Sequence, residues 1–200
     1  PIWLIALALA EPGGARLPRR LVYIVNRRTV IDQATKDVER MQALLKAAPD
    51  DATPIGELRR RLALIAGDAA TVPLAVSTLR GELADNGDWK RNPARPAIIV
   101  GTIDMIGSKL LFSGYGDGRY GRAHHAGLIG QDTLIIHDES HLSPAFDRLL
   151  GAVENEQRRT GEQRPIRVMR LSATTRASTG ESDAAGSAFG IEAEDIKEDA

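Results

Sequence analysis

Two imidazoles enclose two carboxylates at residues 137–141, where His137, Asp138, Glu139, Ser140 and His141 directly follow the apolar run Leu134, Ile135, Ile136. A carboxylate at the end of a buried strand can hold the water shell of a magnesium ion. That ion prefers oxygen ligands and keeps several waters, so one protein carboxylate can suffice. A neighbouring carboxylate can orient and polarise a water that attacks a metal-bound triphosphate. Asp138 therefore reads as the metal-side group and Glu139 as the water-side group. The letters D-E-x-H arise by chance in about one chain in a hundred of this length, and an Asp-Glu pair after a strand is otherwise a solvated turn. Zinc is the competing chemistry, because His137 and His141 are four apart. The zinc-protease spacing needs a helix with Glu directly after the first His, whereas Glu139 comes two residues on in a segment leaving a strand. His124 and His125 are adjacent in a glycine-rich stretch, and the expectation there is a solvated loop.

A second cluster, Leu171, Ser172, Ala173, Thr174, Thr175 and Arg176, follows another apolar run. Small hydroxyl side chains at that point can hydrogen-bond His141 across adjacent strand ends, coupling the state of one loop to the other.

The elements that must position these groups are legible in the hydrophobic pattern. Short apolar runs at 21–25, 61–65, 97–100, 133–136 and 167–171 predict strands, and the stretch to 77–81 (STLRG) reads as loop. Val30, Ile31, Ala34, Val38, Met41, Leu44 and Leu45 recur at three- and four-residue steps, predicting a helix with Thr29 as its N-cap. Strands alternating with helices predict an α/β fold, a mostly parallel sheet with helices on both faces, and in such sheets ligands bind at the carboxyl ends of the strands. The stretches 50–56 and 85–96 carry turn residues without an apolar period and read as surface loops. Within the latter, Trp89 beside Lys90 and Arg91 suits either a base-stacking platform or, in preference, a loop anchor. The apolar stretch at 1–10 is too short to span a bilayer and lacks the basic start of a signal peptide, so a buried helix is expected. Residues 177–200 are small, polar and acidic and read as a connecting segment.

Bulk composition narrows the classes without choosing among them. With 42% hydrophobic and 26% charged residues, 200 residues can build one domain with a core. A net charge of −1 leaves any nucleic-acid binding to local patches. The absence of cysteine excludes disulfides and thiolate metal sites and is compatible with a reducing cytoplasm.

D-E-S-H at 138–141 followed by S-A-T at 172–174, after a strand, a basic turn, a helix and a Gly-Thr turn, is similar to motifs II and III of the first motor domain of superfamily 2 helicases. The stretches VYIVNRRTVIDQA, STLRGELADNGDW, IIVGTIDMIGSKLLFSGYG and HDESHLSPAF resemble, more closely, the CRISPR-associated helicase-nuclease of type I systems, in its subtype U or G branch. These stretches span most of residues 20–176.

The resemblance implies a RecA-like P-loop NTPase domain and an ATP-driven translocase moving 3′ to 5′ along single-stranded DNA. The target would be opened by the CRISPR guide-RNA surveillance complex and degraded by an HD nuclease domain of the intact protein. ATP and Mg2+ are the implied cofactors, the location cytoplasmic, with no membrane partner. By the same analogy Asp138 and Glu139 bind magnesium and activate water, while His141, Ser172 and Thr174 link hydrolysis to movement. Arg27, Arg28 and Thr29, Arg80 and Gly81, and Gly101, Thr102 and Asp104 would track the DNA backbone. Turns offering N–H groups, hydroxyls and guanidiniums suit phosphates, which a sequence-blind motor must grip. No G-x-x-x-x-G-K-[ST] phosphate loop occurs in these residues, nor does an H-D nuclease dyad accompanied by the further histidines that its metals need. Residues 1–176 are therefore expected to be part of a first motor domain lacking its first strand and phosphate loop, and unstable alone. Two alternatives stay open: another superfamily 2 DNA or RNA helicase, and a non-catalytic nucleic-acid-binding scaffold.

Overall fold

The computed structural model describes residues 1–10, 17–49, 53–67, 72–80 and 86–172. Five strands form one sheet in the order β2-β3-β1-β4-β5: β1 is Arg20–Ile24, β2 Ala75–Leu79, β3 Ala97–Gly101, β4 Thr133–His137 and β5 Arg167–Arg170. All four pairings are parallel, in registers that set Ile24 beside both Gly101 and His137, Leu79 beside Gly101, and Arg170 beside His137. The carboxyl ends of all five strands therefore share one edge.

Alternation along the strands divides the core in two, because successive side chains point to opposite faces. Val22, Ile24, Ile99 and Ile135 pack with residues of α5 (Ile103–Leu110), α6 (Gly121–Gly130) and α7 (Pro144–Thr160). Val76, Ile98 and Val100 pack on the other face with α1 (Ile2–Leu9), α2 (Arg28–Ala47) and α3 (Pro54–Ala66). The expected α/β architecture, a parallel sheet with helices on both faces, is what the chain forms. The connection leaving β1 runs through α2 on one face and the connection leaving β4 runs through α7 on the other. The crevice between β1 and β4 is thus the topological switch point, where open α/β sheets bind ligands.

Several local expectations are corrected. Residues 61–65 are helical, within α3: Thr53 accepts the Gly56 N–H, Pro54 occupies the first turn, and Gly67 closes the end at φ 70. Leu58, Leu62 and Ile65 give that helix its buried side, a period that a five-residue run cannot distinguish from a strand. The strand lies later, at β2, so Ser77 and Thr78 are in the sheet and not in a loop. The N-cap of α2 is Arg27, with no side-chain cap, and Thr29 is already inside the helix. His124 and His125 lie on α6 and not in a solvated loop, with His125 buried beside Trp89 at 5.3 Å between rings. Trp89 is itself buried, an anchor as preferred above, but on the short helix α4 (Asp88–Arg91) and not in a loop. The stretch 50–56 likewise ends inside α3, so neither stretch is the surface loop expected along its whole length. The N-terminal segment is a helix buried on one side only: Leu4, Leu7 and Ala8 are inside, while Ile2, Ile5 and Leu9 are exposed.

The sheet is unevenly finished. β3 is buried along its whole length, whereas β5 is largely exposed, with Met169 and the following Leu171 open to 49% and 40%. Among the described residues no strand pairs with the outer edge of β5. No described helix is long and apolar enough to cross a membrane.

Candidate functional site

The strand ladder continues past the strands and ties the carboxyl edge together. Asp138 N–H donates to Ile24 O at 3.0 Å, Val25 N–H to Gly101 O at 3.1 Å, Thr102 N–H to Leu79 O at 3.3 Å, and Leu171 N–H to His137 O at 3.0 Å. Asp138 and Glu139 thus stand on the same edge as Arg27, Arg80, Gly101, Thr102 and Ser172.

Asp138 is fixed from two sides. Its Oδ1 accepts the Glu139 N–H at 3.0 Å, and its Oδ2 accepts the Tyr23 hydroxyl at 2.8 Å. Tyr23 sits beside Ile136 in the β1–β4 register, two residues short of Asp138 on the same face. Burial, the hydrogen bond to Asp138 and that carboxylate's charge push the Tyr23 phenol up to about 12, so it is a donor at neutral pH. Each carboxylate oxygen keeps a lone pair, since an ionised carboxylate offers about four acceptor positions.

Glu139 is the opposite case. Its backbone is left-handed, with φ 50, a conformation rare for a residue with a long side chain. Its side chain is 48% exposed, and its recorded ion-pair contact is His141 Nδ1 at 3.4 Å. The same imidazole nitrogen lies 3.0 Å from Ser172 Oγ. The hydrogen bond expected between the ends of β4 and β5 is therefore present, and Ser140 N–H reinforces it by donating to Leu171 O at 3.0 Å.

His137 is not part of this exposed set. It is fully buried with its ring edge-on to Phe146 at 5.1 Å, and among the described residues neither ring nitrogen has a hydrogen-bond partner. Burial lowers its pKa, with Asp147 opposing and Arg170 reinforcing the shift. A neutral imidazole packed this way is a core residue, so His137 and His141 do not converge on one ion. Among the described residues no group of three or more His, Asp or Glu side chains is arranged to hold a metal.

The basic and small residues divide similarly. Arg27 is exposed at the start of α2, and Thr29 is exposed two residues on, still in the first turn. Arg80 is ion-paired with Asp32 of α2, both about half exposed. Thr102 caps α5 by accepting the Met105 N–H at 3.4 Å, while Asp104 is exposed in its first turn. Gly101 is buried, and a Cβ there would come within 3.1 Å of Ile106, so its first duty is packing. Gly81 and Thr174, the side chain of Arg28 and the segment 177–200 lie outside the described residues. Tyr23 and Asp32 were not singled out from sequence; the alternation along β1 carried the signal for Tyr23, but only once β1 is known to neighbour β4.

Compared with known proteins, the chain matches no protein-family model, no curated protein and no solved structure.

Proposed function

We propose that the carboxyl edge of this sheet is the nucleotide- and nucleic-acid-handling face of an ATP-dependent helicase or translocase of superfamily 2, of the type I CRISPR helicase-nuclease kind, of which residues 1–176 form part of the first motor domain. One observation carries the reading: the Asp138-Glu139 pair sits at the switch point between β1 and β4, and His141 bridges from it to Ser172 beyond β5. A loop that responds to nucleotide and a loop that responds to movement are joined through one imidazole.

The residues fit a magnesium nucleotide as far as they go. Asp138, held by Tyr23 and by its own turn, would bind the ion through its waters, as an oxygen-loving, hydrated cation allows. The bound ion would neutralise charge on the transferring phosphoryl group. Glu139, exposed and lightly held, is free to accept a proton from water, and strained backbone of its kind clusters at active sites. The phosphate cradle would come from the phosphate-loop strand that the resemblance implies for the intact protein. The unpaired outer edge of β5, with Met169 and Leu171 exposed, offers a parallel strand a place to pair.

Nucleic acid would follow the same edge. The first turn of α2 has no side-chain cap, which leaves N–H donors and the positive end of a twenty-residue helix for a phosphate, with Arg27 and Thr29 beside them. Thr102 and Arg80 extend the line across β3 and β2. Single-stranded DNA, the guide-RNA surveillance complex, the HD nuclease domain and the cytoplasmic setting belong to this reading of the intact protein. The deciding experiment compares ATP turnover of the intact protein with single-stranded DNA, with RNA and with neither. Stimulation by DNA above RNA supports the reading; equal or greater stimulation by RNA points to another superfamily 2 motor, and no turnover at all to a scaffold.

A further inference from the structure

The opposite, amino-terminal edge of the sheet holds a cleft of about 490 Å³ that the proposed motor chemistry does not use, lined by Arg19, Arg20, Ala94, His124, Gly127 and Gln131 together with neighbouring residues. Arg20 is only 5% exposed, and among the described residues its hydrogen bonds go to backbone carbonyls and not to a carboxylate. Its two terminal nitrogens donate to Pro93 O and Gln131 O, both at 2.9 Å, which pins the guanidinium between the approaches to β3 and β4. Its Nε–H has no partner among the described residues.

The charge of Asp132 acts on it only at a distance, against the like charges of Arg19 and Arg164. Asp132 is spent on Arg19 Nε at 2.7 Å and on Arg164 Nη1 at 3.0 Å. Glu162 accepts the Gln131 side-chain amide at 2.9 Å and the Arg164 N–H at 3.0 Å. Three guanidiniums thus meet two carboxylates, with the exposed imidazole of His124 on the cleft wall as a further donor. The negative end of α6 is already met, because Gln131 O, just past its last turn, is one of the carbonyls Arg20 caps. A guanidinium offers five donors, and the terminal nitrogens of Arg19 are unspent among the described residues.

We propose that this cleft binds a small oxyanion, a phosphate or carboxylate group, which takes hydrogen bonds from Arg19 and His124 and balances the buried charge of Arg20. Its volume lies in the range of small-molecule sites, which pair an apolar lining with a few fixed polar groups. Arg20 is pre-set by its two carbonyl bonds, so little ordering is needed on binding. The site is independent of the nucleotide reading, lying at the other end of the same strands.

The test uses the intact protein and inorganic phosphate as probe, followed by calorimetric titration at fixed ionic strength with chloride as the control. Gly127 lies on the cleft wall with open space where a Cβ would stand, so Gly127→Ala is a folding control and Gly127→Glu places a carboxylate in the cleft. Saturable phosphate binding that persists in G127A and weakens at least tenfold in G127E, with ATP turnover unchanged, is the expected result. Competition by succinate would assign the site to oxyanions generally, and its absence to phosphate. Phosphate behaving like chloride, G127E titrating like the unaltered protein, or loss in G127E of binding to a short single-stranded oligonucleotide but not to phosphate would each overturn the proposal.

Discussion

The two ends of β4 carry acids in the same unusual backbone conformation and treat them in opposite ways. Asp132, just before the strand, has φ 52 and a side chain only 11% exposed, held by Arg19, by Arg164 and by the Arg19 backbone N–H. Glu139, two residues past the strand, has φ 50 and a side chain 48% exposed that among the described residues meets His141, at 3.4 Å. A short carboxylate tolerates left-handed backbone and here fastens three chain segments. A long one makes no comparable set of contacts among the described residues, and backbone strain of this kind is found where the position of a side chain matters. One acid is committed to the fold and the other is available for chemistry.

The contrast breaks if Glu139→Gln leaves turnover intact. Removing a general base typically costs on the order of 10²–10⁴ in rate, and that loss is the expected outcome for DNA-stimulated ATP hydrolysis by the intact protein. Stability should change by less than about 0.5 kcal/mol, because an exposed side chain with one long contact is replaced by its isostere. Steady-state phosphate release and urea unfolding of the same variant measure the two halves.

Asp132→Ala should show the converse, with turnover per folded molecule unchanged and stability lowered by roughly 2–4 kcal/mol. The loss combines three abandoned hydrogen-bond donors with two guanidiniums left facing the buried Arg20. Burial alone would raise the Asp132 pKa, but the Arg19 and Arg164 bonds and charges outweigh it and hold the group below its usual 3.8. Its contribution is therefore present above pH 3.8 and disappears as pH falls through the lowered value. The acid limb of the unfolding midpoint against pH should flatten in Asp132→Asn.

Much of this division was legible from the residues and some was not. The run before His137 is apolar and flanked by turn-forming and charged residues, so β4 and the position of Asp138 at its carboxyl end could be read directly. β2 escaped because it contains Ser77 and Thr78. Ser77 is buried, and its hydroxyl is satisfied by Asn86 and by the Trp89 N–H, partners that a period count cannot supply. The helical identity of 61–65 lay in its caps at Thr53 and Gly67, outside the run itself. The bond between His141 and Ser172 followed from adjacency of successive strands. The bond between Tyr23 and Asp138 did not, since strand order, not spacing, makes β1 the neighbour of β4.

A milder test uses the remaining imidazole. His137 is buried, without hydrogen-bond partners among the described residues, and its pKa is lowered by that burial. The folded state therefore favours the neutral ring, and the unfolded chain takes up a proton first, near the ordinary 6.5. Stability should be full above that pH and fall as pH drops from 6.5 through the lowered folded value, a window that opens above that of Asp132. His137→Leu should remove this slope while keeping the packing against Phe146; an unchanged slope would place the titrating group elsewhere.

The smallest expected effect sharpens the comparison most, because it asks how firmly Asp138 is committed. Tyr23→Phe removes one hydrogen bond to a carboxylate in a half-buried setting, a loss of about 1 kcal/mol. If Asp138 serves a metal, freeing its Oδ2 should shift the magnesium dependence of turnover by a few-fold and leave the limiting rate near that of the unaltered protein. If Asp138 is structural like Asp132, the variant should lose stability and show no change in magnesium dependence. The phenol supplies an internal control: held up to about 12, it stays protonated in the folded state where an unfolded tyrosine ionises near 10. The stability it contributes is thus complete below pH 10 and lost as pH rises toward 12. Tyr23→Phe should abolish that alkaline slope, which separates loss of this bond from any general loosening of the edge.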